Sequence, residues 1–341
     1  MTAPLRRYVR EITVTRQNEP GARQAGAGER PATGALTDSS DRHPDRHPDK
    51  HADTDGPSRP GDGQQVQAQG TRGRLADTFA AARKEGRSVL VGYLPAGYPT
   101  VDGGIAAMRA MVEAGVDVVE VGLPYSDPTI DGPVIQEAVD AALRGGVTTA
   151  DVLRTVEAVA ETGAPALVMT YWNPVERYGV ERFAADLAAA GGAGTITPDL
   201  PPEEAGPWLA AAGARDLDSV FLVAPSSTDE RIRMVTEITG GFVYAASLMG
   251  VTGARQSVGA AAEGLVKRVR AVTDLPVSVG LGVRDGGQAA TVAAFADGVI
   301  VGSALVGALL DAERSGSGLS AGLDGIRTLT AELAAGVRRP A

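Results

Sequence analysis

The chain has 341 residues, a formal net charge of −10 and no cysteine. Hydrophobic residues make up 43% of it, which is enough for a substantial core. No stretch of about 18 consecutive apolar residues predicts a membrane span. The lack of cysteine excludes disulfides, thiolate nucleophiles and cysteine-based metal sites, and it fits a reducing compartment. We therefore expect a cytoplasmic protein that binds neither membranes nor, given its acidity, nucleic acid.

The first 72 residues differ in composition from the rest of the chain. They are rich in Pro, Asp, Gly and Gln without apolar periodicity, and they hold the three histidines, His43, His47 and His51. Such a composition cannot bury enough apolar surface to fold alone. Residues 1–72 are therefore predicted to be a disordered low-complexity extension, and residues 73–341 the catalytic domain. A metal-binding histidine tract is the alternative reading of the extension.

The predicted catalytic domain is strongly acidic and limited in its chemistry. It carries 21 basic and 32 acidic residues and has neither histidine nor cysteine. A Ser-His-Asp triad, a Cys-His pair and the usual zinc sites are therefore excluded there, and we predict no metal site. Proton transfer must fall to carboxylates, tyrosines or lysines.

The order of elements in this domain predicts a (β/α)8 TIM barrel. An amphipathic helix comes first, with Leu75, Phe79 and Ala82 on one face. Eight short apolar runs follow, separated by Ala-rich, charged helical stretches. They read VLVGYLPAG, VDVVEVGLP, ALVMTYW, GTITPDL, SVFLVAP, FVYAAS, PVSVGLG and DGVIVGS. The alternative, a doubly wound open sheet, needs a GxGxxG fingerprint after the first strand, and the sequence has none there.

The second apolar run leads into the most informative segment, residues 119–136, which reads VEVGLPYSDPTIDGPVIQ. Its β-branched start is typical of a strand buried on both faces, and Glu120 lies inside it. Burial raises the pKa of such a carboxyl group toward neutral pH, which suits proton transfer. The alternative is a glutamate at a strand end that pairs with an arginine or lysine. Asp131 lies in the following Gly/Pro-rich loop, either as a second site acid or as an acid that favours a helix N-terminus.

Three glycine-rich turns follow later strands, at positions where barrels often bind phosphate. The seventh predicted strand runs into Gly280 and Gly282, and the eighth into Gly302 and Ser303 at the start of a helix. The sixth is followed by GVTGA at residues 250–254. A single turn of this kind usually only reverses the chain. Three at adjacent barrel positions predict a phosphorylated substrate.

Five segments resemble signatures of the tryptophan synthase alpha subunit family, in the family's order. They are VEVGLPYSDPTIDGPVIQ, MTYWNPVERYG, PDLPPEEA, GVTGAR and VGSALV, and the resemblance covers about residues 73–337. It implies a carbon-carbon lyase that cleaves indole-3-glycerol phosphate to indole and glyceraldehyde 3-phosphate in the last step of L-tryptophan biosynthesis. It also implies an alpha chain without a cofactor, joined in an α2β2 heterotetramer to a beta subunit that holds pyridoxal phosphate.

The resemblance implies roles for individual residues. Glu120 matches the acid/base, Asp131 matches a second carboxylate that stabilises the indole nitrogen, and Tyr244 matches a tyrosine beside the glutamate. The other matches bind the substrate phosphate, line the indole pocket or face the partner. They are Gly253, Gly282, Gly302 and Ser303 for phosphate, Tyr93 and Tyr171 for indole, and Asp127 for the partner-facing loop. Filling the barrel is the alternative role for Tyr93 and Tyr171.

Three residues in two segments depart from the family pattern, and other functions stay open. Leu248 and Met249 stand where some members carry a basic residue in a mobile loop, and Leu281 stands where an aromatic is common. A stand-alone indole-3-glycerol phosphate lyase that releases indole is one alternative. A non-catalytic activator of a beta subunit is another, although both carboxylates are present. A generic phosphate-binding barrel isomerase is more distant.

Overall fold

The computed structural model describes residues 73–246, 255–280 and 282–338. Within them, nine short strands form one parallel sheet in the order β5-β4-β3-β2-β1-β9-β8-β7-β6. The strands are β1 Val89–Pro95, β2 Val118–Gly122, β3 Ala166–Met169, β4 Gly194–Ile196, β5 Asp218–Val220, β6 Leu222–Val223, β7 Val243–Ala246, β8 Val277–Gly280 and β9 Gly298–Val301. The predicted TIM barrel is confirmed. Residues 1–72 lie outside the described residues, so the predicted disordered extension and its boundary stay predictions.

Helices alternate with the strands in the described part of the chain. They are α1 Arg74–Lys84, α2 Val101–Ala114, α3 Pro133–Arg144, α4 Thr149–Ala160, α5 Trp172–Tyr178, α6 Val180–Ala189, α7 Gly206–Gly213, α8 Asp229–Ile238, α9 Arg255–Arg270, α10 Gly286–Ala293, α11 Ser303–Arg314 and α12 Gly318–Val337, with a 3-10 helix at Pro202–Glu204. None of the helices described is long and apolar enough to cross a membrane.

The fifth predicted strand is divided into two segments, and this division explains why nine strands replace eight. β5 pairs with β4 on one side, whereas β6 pairs with β7 on the other. Phe221 joins them, and its carbonyl oxygen accepts a hydrogen bond of 3.1 Å from the Tyr244 amide. The two segments therefore act as one strand that changes neighbours and brings the two ends of the sheet together.

The first helix covers the amino-terminal end of the barrel. Leu75, Phe79 and Ala82 are buried, as their spacing predicts, and the ring centroids of Phe79 and Phe242 lie 5.5 Å apart. These side chains join an inner core built from alternate strand residues. Strand members of this inner core include Val91, Val118, Leu167, Ile196, Val220 and Ile300. A larger core fills the space between the strands and the surrounding helices. The opposite, carboxyl end of the barrel is left for a site.

Candidate active site

Glu120 lies in the middle of β2 and faces the barrel interior. It follows the inner-core residue Val118 by two positions, so both side chains project from the same face of the strand. The residue is buried, with only 2% of its surface exposed, and its Oε1 atom has no hydrogen-bond partner among the described residues. Burial raises the pKa of Glu120 from 4.5 to about 8. The alternative of a strand-end glutamate paired with a cation does not hold in this part of the chain.

Asp131 lies in the loop between β2 and α3. Gly132 is the N-cap of α3, so Asp131 precedes the helix and is not an acid of its first turn. Burial raises the pKa of Asp131 from 3.8 to about 6, and the nearby Tyr171 hydroxyl acts in the opposite direction. The Gln136 side-chain amide donates to the Asp131 carbonyl oxygen at 2.7 Å. The backbone of Asp131 is therefore held in place by Gln136.

Three tyrosines surround the two carboxyl groups. The pKa values of Tyr93 and Tyr244 are raised well above 10, mainly by burial and further by the negative charges of Glu120 and Asp131. Burial and the charge of Asp131 raise the pKa of Tyr171 to about 12. All three hydroxyls therefore keep their protons at neutral pH and are available as hydrogen-bond donors.

Glycines on neighbouring strands leave space for two of these rings. A Cβ atom added to Gly280 of β8 would lie 2.6 Å from the Tyr244 hydroxyl oxygen. A Cβ atom on Gly122 of β2 would collide with the Tyr93 hydroxyl in the same way. Larger residues at these two positions would push the tyrosines from the barrel mouth, so the glycines define the shape of the pocket.

The start of α11 adjoins the same pocket with uncapped amides. Gly302 is the N-cap, without a side-chain cap, and Ser303 is the first helical residue. The first amides of a helix have no partner within it and point outward with the positive end of its dipole. A Cβ atom on Gly302 would lie 3.3 Å from Cδ1 of Tyr93, so this helix start adjoins the tyrosine cluster. Gly282, with a φ of 67°, follows β8 nearby in the chain.

The two carboxyl groups have different pKa values. Between about pH 6 and about pH 8, Glu120 is protonated and Asp131 is ionised. One group is then ready to donate a proton while the other offers negative charge, a division of roles common to acid-base sites. The site is thus suited to a reaction in which one group donates a proton and a negative charge stabilises the positive charge that develops on the substrate. The start of α11 lies near enough to hold an anionic part of the same substrate.

Comparison with known proteins identifies the family to which the chain belongs. The family profile of the tryptophan synthase alpha chain matches residues 79–329. The tryptophan synthase alpha chain of Salinispora tropica is 66% identical over 268 residues, which cover 79% of this chain and 99% of the relative. The chain belongs to the tryptophan synthase alpha chain family. A structure of Mycobacterium tuberculosis tryptophan synthase shares its fold with a TM-score of 0.73 at 57% identity, covering 80% of this chain and 100% of that one.

Further relatives match the chain in fold or in sequence. The tryptophan synthase subunit alpha of Legionella pneumophila has a TM-score of 0.71 at 32% identity, over 78% of this chain and 99% of that chain. The alpha chain of Streptomyces coelicolor is 63% identical over 265 residues. The family resemblance inferred from the five sequence segments is therefore confirmed.

The fold gathers most of the residues that the family resemblance singled out. Glu120, Asp131, Tyr93, Tyr171 and Tyr244 influence one another's pKa values, which places them in one cluster. Of the residues predicted to bind the substrate phosphate, Gly282, Gly302 and Ser303 follow the two neighbouring strands β8 and β9. Four other positions named above lie outside the described residues: Gly253, Leu248, Met249 and Leu281.

The loop residue Asp127 lies apart from this cluster. It is exposed and accepts a hydrogen bond of 2.7 Å from the Ser126 hydroxyl. Its position on the outer side of the loop is compatible with the predicted partner-facing role, which stays a prediction.

Sequence reasoning missed two polar residues that support the site. Gln136 holds the Asp131 carbonyl oxygen, and Asp199 accepts a hydrogen bond of 2.9 Å from the Trp172 amide at the start of α5. A signal for Asp199 was present, since an acid a few residues after the end of a barrel strand, at its carboxyl end, has access to the site. For Gln136, no local signal distinguishes it from a surface residue of a helix.

Proposed function

We propose that this chain catalyses the alpha reaction of tryptophan synthase, the retro-aldol cleavage of indole-3-glycerol phosphate to indole and glyceraldehyde 3-phosphate. The observation that carries the proposal is the pair of carboxyl groups with pKa values of about 8 and about 6 in one tyrosine-lined pocket. The helix start at Gly302 and Ser303 adjoins that pocket and suits the substrate phosphate. Family membership supports the same reaction.

Glu120 acts first as an acid and then as a base. It protonates C3 of the indole ring, which leaves a cationic indolenine that is able to accept the electrons of the breaking carbon-carbon bond. The resulting Glu120 carboxylate then removes the hydroxyl proton from the adjacent glycerol carbon. That carbon becomes the aldehyde, the bonding electrons return to the ring, and Glu120 regains its proton. A pKa of about 8 lets one group perform both steps near neutral pH.

Asp131 stabilises the positive charge that develops at the ring nitrogen. It is ionised above about pH 6, so it carries its charge when Glu120 is still protonated. In a pocket with little water this attraction is stronger than in solution. Tyr244 lines the pocket beside the glutamate, and its hydroxyl stays protonated. Tyr93 and Tyr171 flank the indole ring.

The phosphate is held by backbone amides and a hydroxyl. The free amides at the start of α11, together with the Ser303 side chain, supply donors along the helix axis. Gly282 allows the neighbouring loop to approach because its φ of 67° is unfavourable for other residues. Gly253, outside the described residues, completes the proposed set.

The proposed partner is a tryptophan synthase beta subunit in an α2β2 heterotetramer. A groove of about 580 Å³ lies beside Asp127 and is lined by the loop after β2 and the starts of α4 and α5. Its residues include Tyr125, Ser126, Thr149 and Asn173. We assign this groove to the beta subunit, since it shares the loop that carries Asp131. The alpha chain itself works without a cofactor, pyridoxal phosphate belongs to the partner, and the complex resides in the cytoplasm.

The decisive experiment is an assay of indole release from indole-3-glycerol phosphate by the full-length chain, with and without a beta subunit. Cleavage is expected from the chain alone and faster cleavage with the partner, whereas Glu120→Gln abolishes it. Glu157→Gln, on an exposed position of α4, is the control and keeps full activity. Equal rates with and without the partner would favour the stand-alone lyase. Acceleration of the beta reaction without any indole release would favour the non-catalytic activator.

A further inference from the structure

The Tyr171 hydroxyl is joined to the loop that carries Asp131. Tyr171 is 4% exposed, and its oxygen accepts hydrogen bonds from the backbone amides of Thr129 at 3.1 Å and Ile130 at 3.2 Å. These two amides immediately precede Asp131. With both lone pairs of the oxygen occupied, the hydroxyl proton is left to donate, and the hydroxyl is near enough to Asp131 to lower the pKa of that carboxyl group.

A second contact fixes the same tyrosine against the start of the loop. The rings of Tyr125 and Tyr171 lie 5.3 Å apart between centroids, at an interplanar angle of 36°. Tyr171 thus touches the loop before and after its exposed tip at Ser126 and Asp127. The buried side chain of Tyr171, which follows β3, therefore contacts the loop after β2 on both sides of that tip.

Tyr171 is itself held by the chain that follows it. It is the N-cap of α5, and the amide of the next residue, Trp172, donates to the Asp199 carboxylate at 2.9 Å. Asp199 follows β4, so the loops after three successive strands are connected: Asp131 after β2, Tyr171 after β3 and Asp199 after β4.

We infer that Tyr171 is a positioning residue that fixes the 129–131 segment in place before substrate binds, and that Asp199 fixes Tyr171 in turn. This role is distinct from lining the indole pocket, because it depends on the hydroxyl group rather than on the ring. It rests on the proposed function only for its effect on turnover. The hydrogen bonds to Thr129 and Ile130 exist whatever the reaction.

The test compares Tyr171→Phe with Tyr98→Phe in the full-length protein. Each variant removes one buried hydroxyl that adjoins a carboxylate, since Tyr98 is 1% exposed and donates to Glu313 on α11. Amide hydrogen exchange is measured by NMR at Thr129 and Ile130. Tyr171→Phe is expected to speed exchange at both amides roughly fivefold or more, as loss of a hydrogen bond does, whereas Tyr98→Phe leaves it unchanged.

The pH profile of indole formation gives a second readout. Tyr171→Phe removes the hydroxyl group that lowers the pKa of Asp131, so the acid limb of kcat/KM, expected near pH 6, moves to higher pH. Turnover is expected to fall on the order of tenfold or more, because small misplacements of reacting groups are costly. Tyr98→Phe keeps the wild-type profile.

Asp199 variants test the outer part of the connection. Asp199→Asn keeps an oxygen that accepts from the Trp172 amide and is expected to behave like wild type, whereas Asp199→Ala speeds exchange at Thr129 and Ile130. Unchanged exchange and an unchanged acid limb in Tyr171→Phe would overturn the inference, even if turnover fell. If the wild-type protein released no indole, the proposed function would fail, and the exchange rates alone would decide the positioning role.

Discussion

Replacing Glu120 by glutamine is expected to remove activity and, at neutral pH, to make the folded protein more stable. Glutamine has the shape of a protonated glutamic acid but no proton to lose. In the folded wild type, burial raises the pKa of Glu120 from 4.5 to about 8. Between those pH values the folded state holds one proton more than the unfolded state, so this group makes stability fall as pH rises. The variant has no such loss.

The magnitude follows from the two pKa values. Each pH unit between them changes the free energy of unfolding by about 1.4 kcal/mol. From pH 4.5 to neutral pH this amounts to about 3 kcal/mol, and up to pH 8 to about 5 kcal/mol. The variant should therefore match wild type at about pH 4 and exceed it progressively until about pH 8, where the difference levels off. A carboxyl group buried in an apolar strand thus lowers the stability of the folded protein at neutral pH.

Urea unfolding of both proteins at several pH values between about 4 and 9 measures this difference directly. Other titrating groups are common to both proteins and cancel. Glu157→Gln serves as the control, and its difference from wild type should not rise with pH, since that side chain is exposed. A stability difference for Glu120→Gln that stays constant across this range would refute the argument that burial keeps Glu120 protonated.

Four further outcomes are expected. Asp131→Asn should lower kcat by about 10²-fold or more and remove the acid limb near pH 6 from the profile of kcat/KM, so persistence of that limb would assign it to another group. Gly280→Ala places a Cβ atom 2.6 Å from the Tyr244 hydroxyl, and turnover should drop with little change in circular dichroism. Phe79→Ala opens a cavity at the amino-terminal end of the barrel and should lower the free energy of unfolding in urea by about 3–5 kcal/mol, without changing the pH profile of kcat/KM. Deletion of residues 1–72 should leave turnover and Tm nearly unchanged, because the site and both cores lie in the remaining chain; a marked drop in either would show that the extension supports the barrel.

The sequence by itself was enough to establish the barrel and the position of its main acid. Alternating apolar runs and helical stretches predict a parallel barrel because strand and helix periodicity are local properties of a chain. Glu120 was found in the same way, since a carboxyl group within a β-branched run signals a buried acid. The helix start at Gly302 and Ser303 likewise depends only on neighbouring residues.

Only the tertiary structure decided how these parts act together. The contacts of Tyr171 with Thr129 and Ile130 join residues 42 and 41 positions apart, and the bond from Trp172 to Asp199 spans 27 positions. The curvature of the closed sheet brings these loop ends together, and no local pattern encodes it. In the same closed arrangement the fifth strand divides at Phe221, and burial raises the pKa of Asp131 to about 6 and that of Glu120 to about 8, because burial depends on which distant segments cover each group.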